Sequence, residues 1–243
     1  MSPRTIVVTG GAKGIGRAVV QRFADAGDRV IALGRDQHAL AQLTVETLVC
    51  DVTDEDAVNA TFERVGDVDV LVNNAGIGES APLTKTTLAS WARHFDVNVT
   101  GPFLCMRAVV PGMRARQSGS IVTVASTAGR VGVPYTSAYS ASKHAAVGLT
   151  RAVAGELAGT GVRVNAVCPT FVRTEMTARS IANIVERTGR SPEDAEAALA
   201  GSSPLGRLLE PEEVADAIVY LASPAAAAIT GQALVIDGGG IQA

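Results

Sequence analysis

Along the chain, short runs of β-branched and other apolar residues alternate with longer stretches in which apolar positions recur every three or four residues. The short runs, at 5–9, 29–33, 46–50, 69–72, 120–125, 162–167 and 233–236, have the length of strands and are flanked by Gly, Asp or Asn. Helical periodicity fills the intervals, over 14–26, 37–43, 54–65, a long 88–115 that carries Pro102 and Pro111, 139–158 and 211–222. Pro211 followed by Glu212 and Glu213 suits a helix N-terminus. Such alternation predicts βαβ units and an α/β fold with a doubly wound, parallel, seven-stranded sheet.

Residues 174–207 break the pattern and predict a helical lid. Ser191 is a capping residue, Pro192 suits the first helical position, Asp194 stands three residues after the cap, and Gly201 closes the Ala-rich run. With 243 residues, 47% hydrophobic and 19% charged, the composition predicts a single domain over 1–243, because folded chains keep one core up to roughly 250–300 residues. No Pro/Ser-rich or charged linker divides it.

A net charge of −3 argues against nucleic acid, whose binders rely on a basic stripe. Met1-Ser2-Pro3-Arg4 leads straight into the first strand, without the apolar core of a signal peptide, and no apolar run approaches the ~20 residues of a membrane helix. Cytoplasmic location and no membrane partner are therefore expected. Cys50, Cys105 and Cys168 are odd in number and set among apolar residues, as buried thiols in a reducing compartment would be. His38, His94 and His144 lie far apart, so no metal site is expected.

The chemistry sits at the strand ends. After the first strand, Gly10, Gly14 and Gly16 punctuate a loop that opens a helix, and glycines there let backbone N–H groups and a helix N-terminus approach a pyrophosphate. Further on come Asn73-Asn74-Ala75-Gly76, Asn98, Ser126 and Tyr139-Ser140-Ala141-Ser142-Lys143. Tyr139 and Lys143 are four apart and share a helix face. A phenol with a reference pKa of about 10 is a weak proton donor at neutral pH, and a neighbouring ammonium can lower it by roughly 1–3 units. Ser126 would hold a carbonyl oxygen beside that phenol.

In order and spacing these residues resemble the short-chain dehydrogenase/reductase family over the whole chain: T-G-x-x-x-G-x-G at 9–16, N-N-A-G at 73–76, and Ser126 thirteen residues before Y-x-x-x-K. The resemblance implies a Rossmann-type sheet and hydride transfer between a nicotinamide cofactor and a carbonyl, with Asn98, Ser126, Tyr139 and Lys143 catalytic. It implies that Lys143 also holds the nicotinamide ribose and that Asn98 supports a water-linked proton path to it. Gly10, Lys13, Gly14, Ile15, Gly16, Asp51, Val52, Asn74, Ala75 and Gly76 fall on cofactor-side positions, Asp51 and Val52 flanking the adenine. Pro169, Val172 and Thr174 fall under the nicotinamide. Asn73 reads as a brace between sheet and loop. The family's Pro-Gly is here Pro169-Thr170, which requires a turn that a β-branched residue accepts, with negative φ.

At the end of the second strand the position of a ribose-binding acid is Gly34, with Arg35 next; Lys13 matches a second basic position of NADP-preferring relatives. An Arg fork and a Lys point charge fit a 2′-phosphate, so NADP(H) is expected. The competing reading takes Asp36 as the acid of an NAD-linked enzyme. The region from Tyr139 to Met176 is similar to reductases of 3-ketoacyl thioesters and polyketide chains, whose carrier phosphates would suit Arg130, Arg173, Arg179, Arg187 and Arg190. Reductases or dehydrogenases of small sugars and hydroxy acids remain open. A cofactor-binding regulatory protein would typically have lost Tyr139 or Lys143. The resemblance also implies a homotetramer paired through the two long helices.

Overall fold

The computed structural model describes residues 3–242, so residues 1, 2 and 243 at the ends of the expected domain lie outside the described residues. Seven strands, β1 (Thr5–Thr9), β2 (Arg29–Gly34), β3 (Glu46–Val49), β4 (Val70–Asn73), β5 (Gly119–Val124), β6 (Val162–Pro169) and β7 (Ala233–Ile236), form one parallel sheet in the order β3-β2-β1-β4-β5-β6-β7. The order reverses between β1 and β4, where open sheets of this kind leave a crevice at the strand ends.

Alternate residues of the central strands feed two large cores, and a small third cluster of Ala125, Val147, Ala166 and Cys168 lies toward the β7 edge. Ile6, Val8, Val30, Ala32 and Val72 pack under α1 (Gly14–Asp25) and α9 (Pro211–Ala222), through Val19, Phe23, Val214 and Ile218. Val7, Ile31, Leu33, Leu71 and Ile121 pack under α3 (Glu55–Val65), α5 (Gly101–Ala115) and the end of α6 (Ser137–Glu156), where Phe62, Leu104 and Met113 are buried and Leu157 follows. Because both faces are covered, the strands read as continuous apolar runs. Each fully buried Leu, Ile or Phe stabilises by about 1.5–3 kcal/mol relative to exposure.

The helix expected over 88–115 is divided. α4 (Leu88–Phe95) passes through a five-residue π turn, Asp96–Thr100, into α5. Pro102 offers no N–H to the carbonyl of Asn98, and its ring would press on that carbonyl, so the ladder widens there. Gly101 makes the turn compact: a Cβ on it would meet Val52 Cγ2 at 2.8 Å. The second expected helix, α2 (Gln37–Leu40), is shorter than its apolar pattern and is capped by Asp36, whose Oδ1 accepts from Ala39 N–H at 3.0 Å.

Between β6 and α9 stand α7 (Glu175–Thr188) and α8 (Pro192–Ala200). Ser191 caps α8 as expected, accepting from Asp194 N–H at 3.0 Å. The left-handed stop belongs to α7, at Gly189 with φ 69°, whereas Gly201 stays right-handed at φ −68°. Among the described residues no helix is long and apolar enough to cross a membrane.

Candidate active site

A cleft of about 350 Å³ opens at the C-terminal strand ends and is bordered by the loops after β1, β4, β5 and β6. Gly10, Lys13, Gly14 and Ile15 form one wall. Gly10 and Gly14 take left-handed φ of 62° and 50°. Gly16 does not reach the cleft; a Cβ on it would stand 2.2 Å from Gly10 O and 2.5 Å from Asn74 Nδ2, so no side chain fits.

What holds this loop corrects the expectation for Asn73. Asn74 Nδ2 donates to Thr9 O and Gly10 O, both at 3.0 Å, and the Thr9 hydroxyl accepts from Asn74 N–H and Ala75 N–H, both at 3.0 Å. Asn73 is still inside β4, so its side chain points into the sheet face and is buried; its amide, like Thr123 Oγ1 opposite it on β5, meets no hydrogen-bond partner among the described residues. Asn74, Ala75 and Gly76 line the cleft. Thr9 was not singled out from the sequence, although its place as first letter of the glycine motif was the available signal.

Ser126 leaves β5 at the floor, where its Oγ accepts from Ala128 N–H at 3.1 Å and its hydroxyl hydrogen-bonds Tyr139. Gly129 lets α6 approach, because a Cβ there would lie 2.7 Å from Lys143 O. Lys143, one turn beyond Tyr139, is 5% exposed and donates to Val124 O at 2.8 Å. Burial pushes its ammonium down to about 8. Burial also raises the Tyr139 phenol, against the smaller opposing effect of the Ser126 hydrogen bond. The lowering expected from Lys143 does not enter: Nζ sits 5.8 Å from the ring centroid and is committed to a carbonyl.

Asn98 lies in the π turn, 1% exposed, outside the cleft lining. Its Oδ1 accepts from Ile77 N–H at 2.9 Å, and its Nδ2 donates to Ile77 O at 3.0 Å and Ser142 Oγ at 2.9 Å. The side chain clasps the loop after β4 to α6. Ser142 and His94, which completes the same clasp, were not legible as site residues because their partners are mostly backbone atoms.

Pro169, Val172 and Thr174 border the cleft from the end of β6. The segment is pinned to residue 209, through Arg173 N–H to Leu209 O at 2.8 Å and Leu209 N–H to Phe171 O at 2.9 Å. Among the described residues only Gln117 and Tyr135 combine positive φ with a side chain, so Thr170 keeps the negative φ expected. Thr174 caps α7 and faces Gly14 closely, since a Cβ on that glycine would stand 3.0 Å from Thr174 Cγ2.

The outer rim is charged and open. Lys13 Nζ lies 3.3 Å from Asp36 Oδ2 and 3.4 Å from Glu175 Oε2, while Arg35 Nη1 lies 3.4 Å from Asp51 Oδ2. Asp51 also accepts from Thr53 N–H at 3.0 Å and Thr53 Oγ1 at 2.8 Å; Val52 is buried beneath. Of the arginines read as carrier contacts, Arg173 pairs with Glu196 and Glu210, and Arg179 with Glu175.

These elements define an oxidoreductase with a dinucleotide-binding sheet and a Ser-Tyr-Lys floor. The sequence matches the family model described as Enoyl-(Acyl carrier protein) reductase over residues 10–240. It is 42% identical over 252 residues to cis-4-hydroxycyclohexanecarboxylate dehydrogenase of Sinomonas cyclohexanicum, covering 97% of this chain and 96% of that one. It is 39% identical over 249 residues to the 3-oxoacyl-(acyl-carrier-protein) reductase of Thermotoga maritima, covering 97% of each. A crystal structure of a variant actinorhodin polyketide ketoreductase with NADPH superposes with a TM-score of 0.92 at 37% identity, over 98% of this chain and 97% of that one. The chain belongs to the short-chain dehydrogenase/reductase family and interconverts a ketone and a secondary alcohol with a nicotinamide cofactor.

Proposed function

We propose that the chain is an NADP(H)-dependent ketoreductase acting on a 3-ketoacyl thioester or a related polyketide-like carbonyl. The observation that carries this reading is the Ser126–Tyr139–Lys143 floor, with Ser126 and Lys143 buried and Tyr139 half-buried at the cleft, beside a glycine loop too tight for side chains. That loop and the Asn74–Gly76 turn fit a diphosphate and its nucleoside, Lys143 fits the nicotinamide ribose, and Pro169, Val172 and Thr174 fit the nicotinamide side. When bound, the cofactor supplies hydride to the carbonyl carbon.

The protein's own part is the proton. Ser126 Oγ already accepts from Ala128 N–H, so its O–H is free to be donated, to Tyr139 or to an entering carbonyl oxygen. Tyr139, kept protonated by burial, gives up its proton as the oxygen gains charge. Lys143 is still cationic at neutral pH and stabilises the phenolate left behind. Positioned acid catalysis of this kind contributes about 10²–10⁴ in rate. Asn98 holds the wall of this floor and, by its resemblance to relatives, the route by which Lys143 recovers a proton.

Arg35 and Lys13 support NADP(H). Both are exposed and both hold carboxylates only at 3.3–3.4 Å, partners that a 2′-phosphate can displace. One observation favours a second reading, an NAD-linked dehydrogenase of a small hydroxy acid or sugar alcohol: Asp36 stands at the same rim, held by Ala39 N–H and Lys13, which lower its carboxyl below the usual range. A panel of ketoacyl thioesters and cyclic or sugar alcohols, assayed with NADPH and NADH, separates the two. Turnover of hydroxy acids or sugar alcohols with NAD alone would replace the first reading by the second.

The same reading makes 174–207 a substrate lid on a single domain, a homotetramer of the assembly, and cytoplasm the location, in keeping with three buried free thiols. Arg179 at the cleft edge is the arginine best placed for a carrier-linked substrate. Leu88, Trp91 and Phe103 lie exposed on α4 and α5, as a helix-paired interface would require. Light scattering that returns a stable monomer at micromolar concentration would remove the tetramer, and equal hydrogen exchange over 177–206 with and without ligands would remove the lid.

A further inference from the structure

His94 is fully buried at the end of α4, and both of its ring nitrogens are engaged. Nδ1 lies 2.7 Å from Ser90 O, and Nε2 lies 3.1 Å from Glu79 N. A carbonyl only accepts, so Nδ1 carries the proton and Nε2 accepts the Glu79 N–H; the ring is neutral with one tautomer fixed. It meets Tyr139 edge-on, with centroids 6.3 Å apart and planes at 71°.

The short stretch 77–79 is held from one helix face. Asn98, four residues beyond His94, takes both backbone groups of Ile77, and His94 takes the N–H of Glu79. Ser90 Oγ at 2.8 Å and Arg93 Nη2 at 2.8 and 3.0 Å then fix the Glu79 carboxylate. Between these anchors is Gly78, where a Cβ would stand 3.3 Å from Tyr139 Cε2, 3.4 Å from Cδ2 and 3.2 Å from Met176 Sδ. The Gly78 backbone is therefore the surface against which the Tyr139 ring lies.

We propose that His94 is a positioning residue for the catalytic tyrosine: it locks the 77–79 turn into a wall and, with its own ring edge, sets the tilt of the phenol toward the substrate oxygen. This rests on the reading of Tyr139 as proton donor. No proton passes through His94, whose only mobile proton is held by a backbone carbonyl. Displacing a reacting group by about 1 Å can cost on the order of 100-fold in rate, which sets the scale of the effect.

The experiment compares wild type, His94→Leu, His94→Gln and Tyr139→Phe in two readouts. One is NADPH-dependent reduction of the acetoacetyl thioester of N-acetylcysteamine. The other is ultraviolet titration of tyrosinate, in which subtracting Tyr139→Phe isolates Tyr139 from the other two tyrosines. His94→Leu is expected to lower kcat roughly 10–100-fold with the KM for NADPH little changed. It should also move the Tyr139 titration down toward the ordinary value of about 10, as water reaches the ring. His94→Gln should recover most of both, since its amide oxygen can take the Glu79 N–H. Should His94→Leu fail to fold, Gly78→Ala tests the same wall with His94 intact and should reproduce the loss of kcat. The proposal is overturned if His94→Leu keeps kcat within about threefold with an unmoved titration, if Gln is no better than Leu, or if Gly78→Ala is neutral. Tyr139→Phe that retains turnover would instead overturn the proton-donor reading, and the titration would still report whether His94 shapes the ring's surroundings.

Discussion

At the floor of the cleft Ser126 and Lys143, with Asn98 behind it, are at most 9% exposed and their hydrogen-bonding groups are held by backbone atoms, Ser142 or Tyr139. At its outer rim the side chains of Lys13, Arg35 and Asp36 are 48%, 67% and 54% exposed; Lys13 pairs with Asp36 at 3.3 Å and with Glu175 at 3.4 Å, and Arg35 with Asp51 at 3.4 Å. The two regions handle charge by opposite means. Burial at the floor moves acidities and fixes geometry, so each group there is difficult to replace. Solvent at the rim screens every pair, so selectivity for a cofactor phosphate is spread over several weak contacts and can be exchanged without disturbing the sheet.

The contrast sharpens most under Lys143→Ala. Losing the floor's cation is expected to abolish turnover and weaken NADPH binding together, as measured by initial rates and fluorescence titration of the cofactor. In the wild type the same group sets an alkaline limb. Burial depresses the ammonium from its ordinary value to about 8, so its charge is present below that pH and lost as pH rises through it. Tyr139, raised by burial, stays protonated over the same range, so reduction should fall above about pH 8 for want of Lys143, not of the phenol.

At the rim the expected effects are smaller. Arg35→Ala should shift kcat/KM for NADPH relative to NADH by an amount at the low end of roughly 10–150-fold, the span of one charge-assisted hydrogen bond, because the site is open to water. Least of all, raising ionic strength should narrow the wild-type preference for NADPH, measured as kcat/KM for both cofactors at two salt concentrations. An NADH preference untouched by Arg35→Ala would transfer the rim to Asp36 and break the comparison at that end.

Much of this is legible in the sequence. The strands were legible because both faces of the sheet are covered, which leaves unbroken apolar runs such as Ile6-Val7-Val8 and Leu71-Val72. The motif residues came together because their spacing places them on loops at one edge of the sheet. What escaped reading depends on single-residue register or on backbone partners. Asn73 and Asn74 are adjacent, and only the exact end of β4 decides which one faces the sheet and which reaches back to Gly10. The π turn at 96–100 hides inside a helical pattern because the widening comes from a ring-to-carbonyl clash, not from a change in apolar period. The Tyr139 acidity was misjudged from its neighbour's charge, since sequence carries no measure of how much water burial removes.

The account stands most directly on Tyr139→Phe, measured as a pair: the dissociation constant for NADPH and the single-turnover rate of ketone reduction. Removing one hydroxyl takes away the proton donor and leaves the glycine loop, Lys143 and the rim in place. The dissociation constant should stay within about threefold of wild type while the rate falls by 10² or more, about the contribution of a positioned acid. A rate within tenfold of wild type would contradict the assignment of the floor.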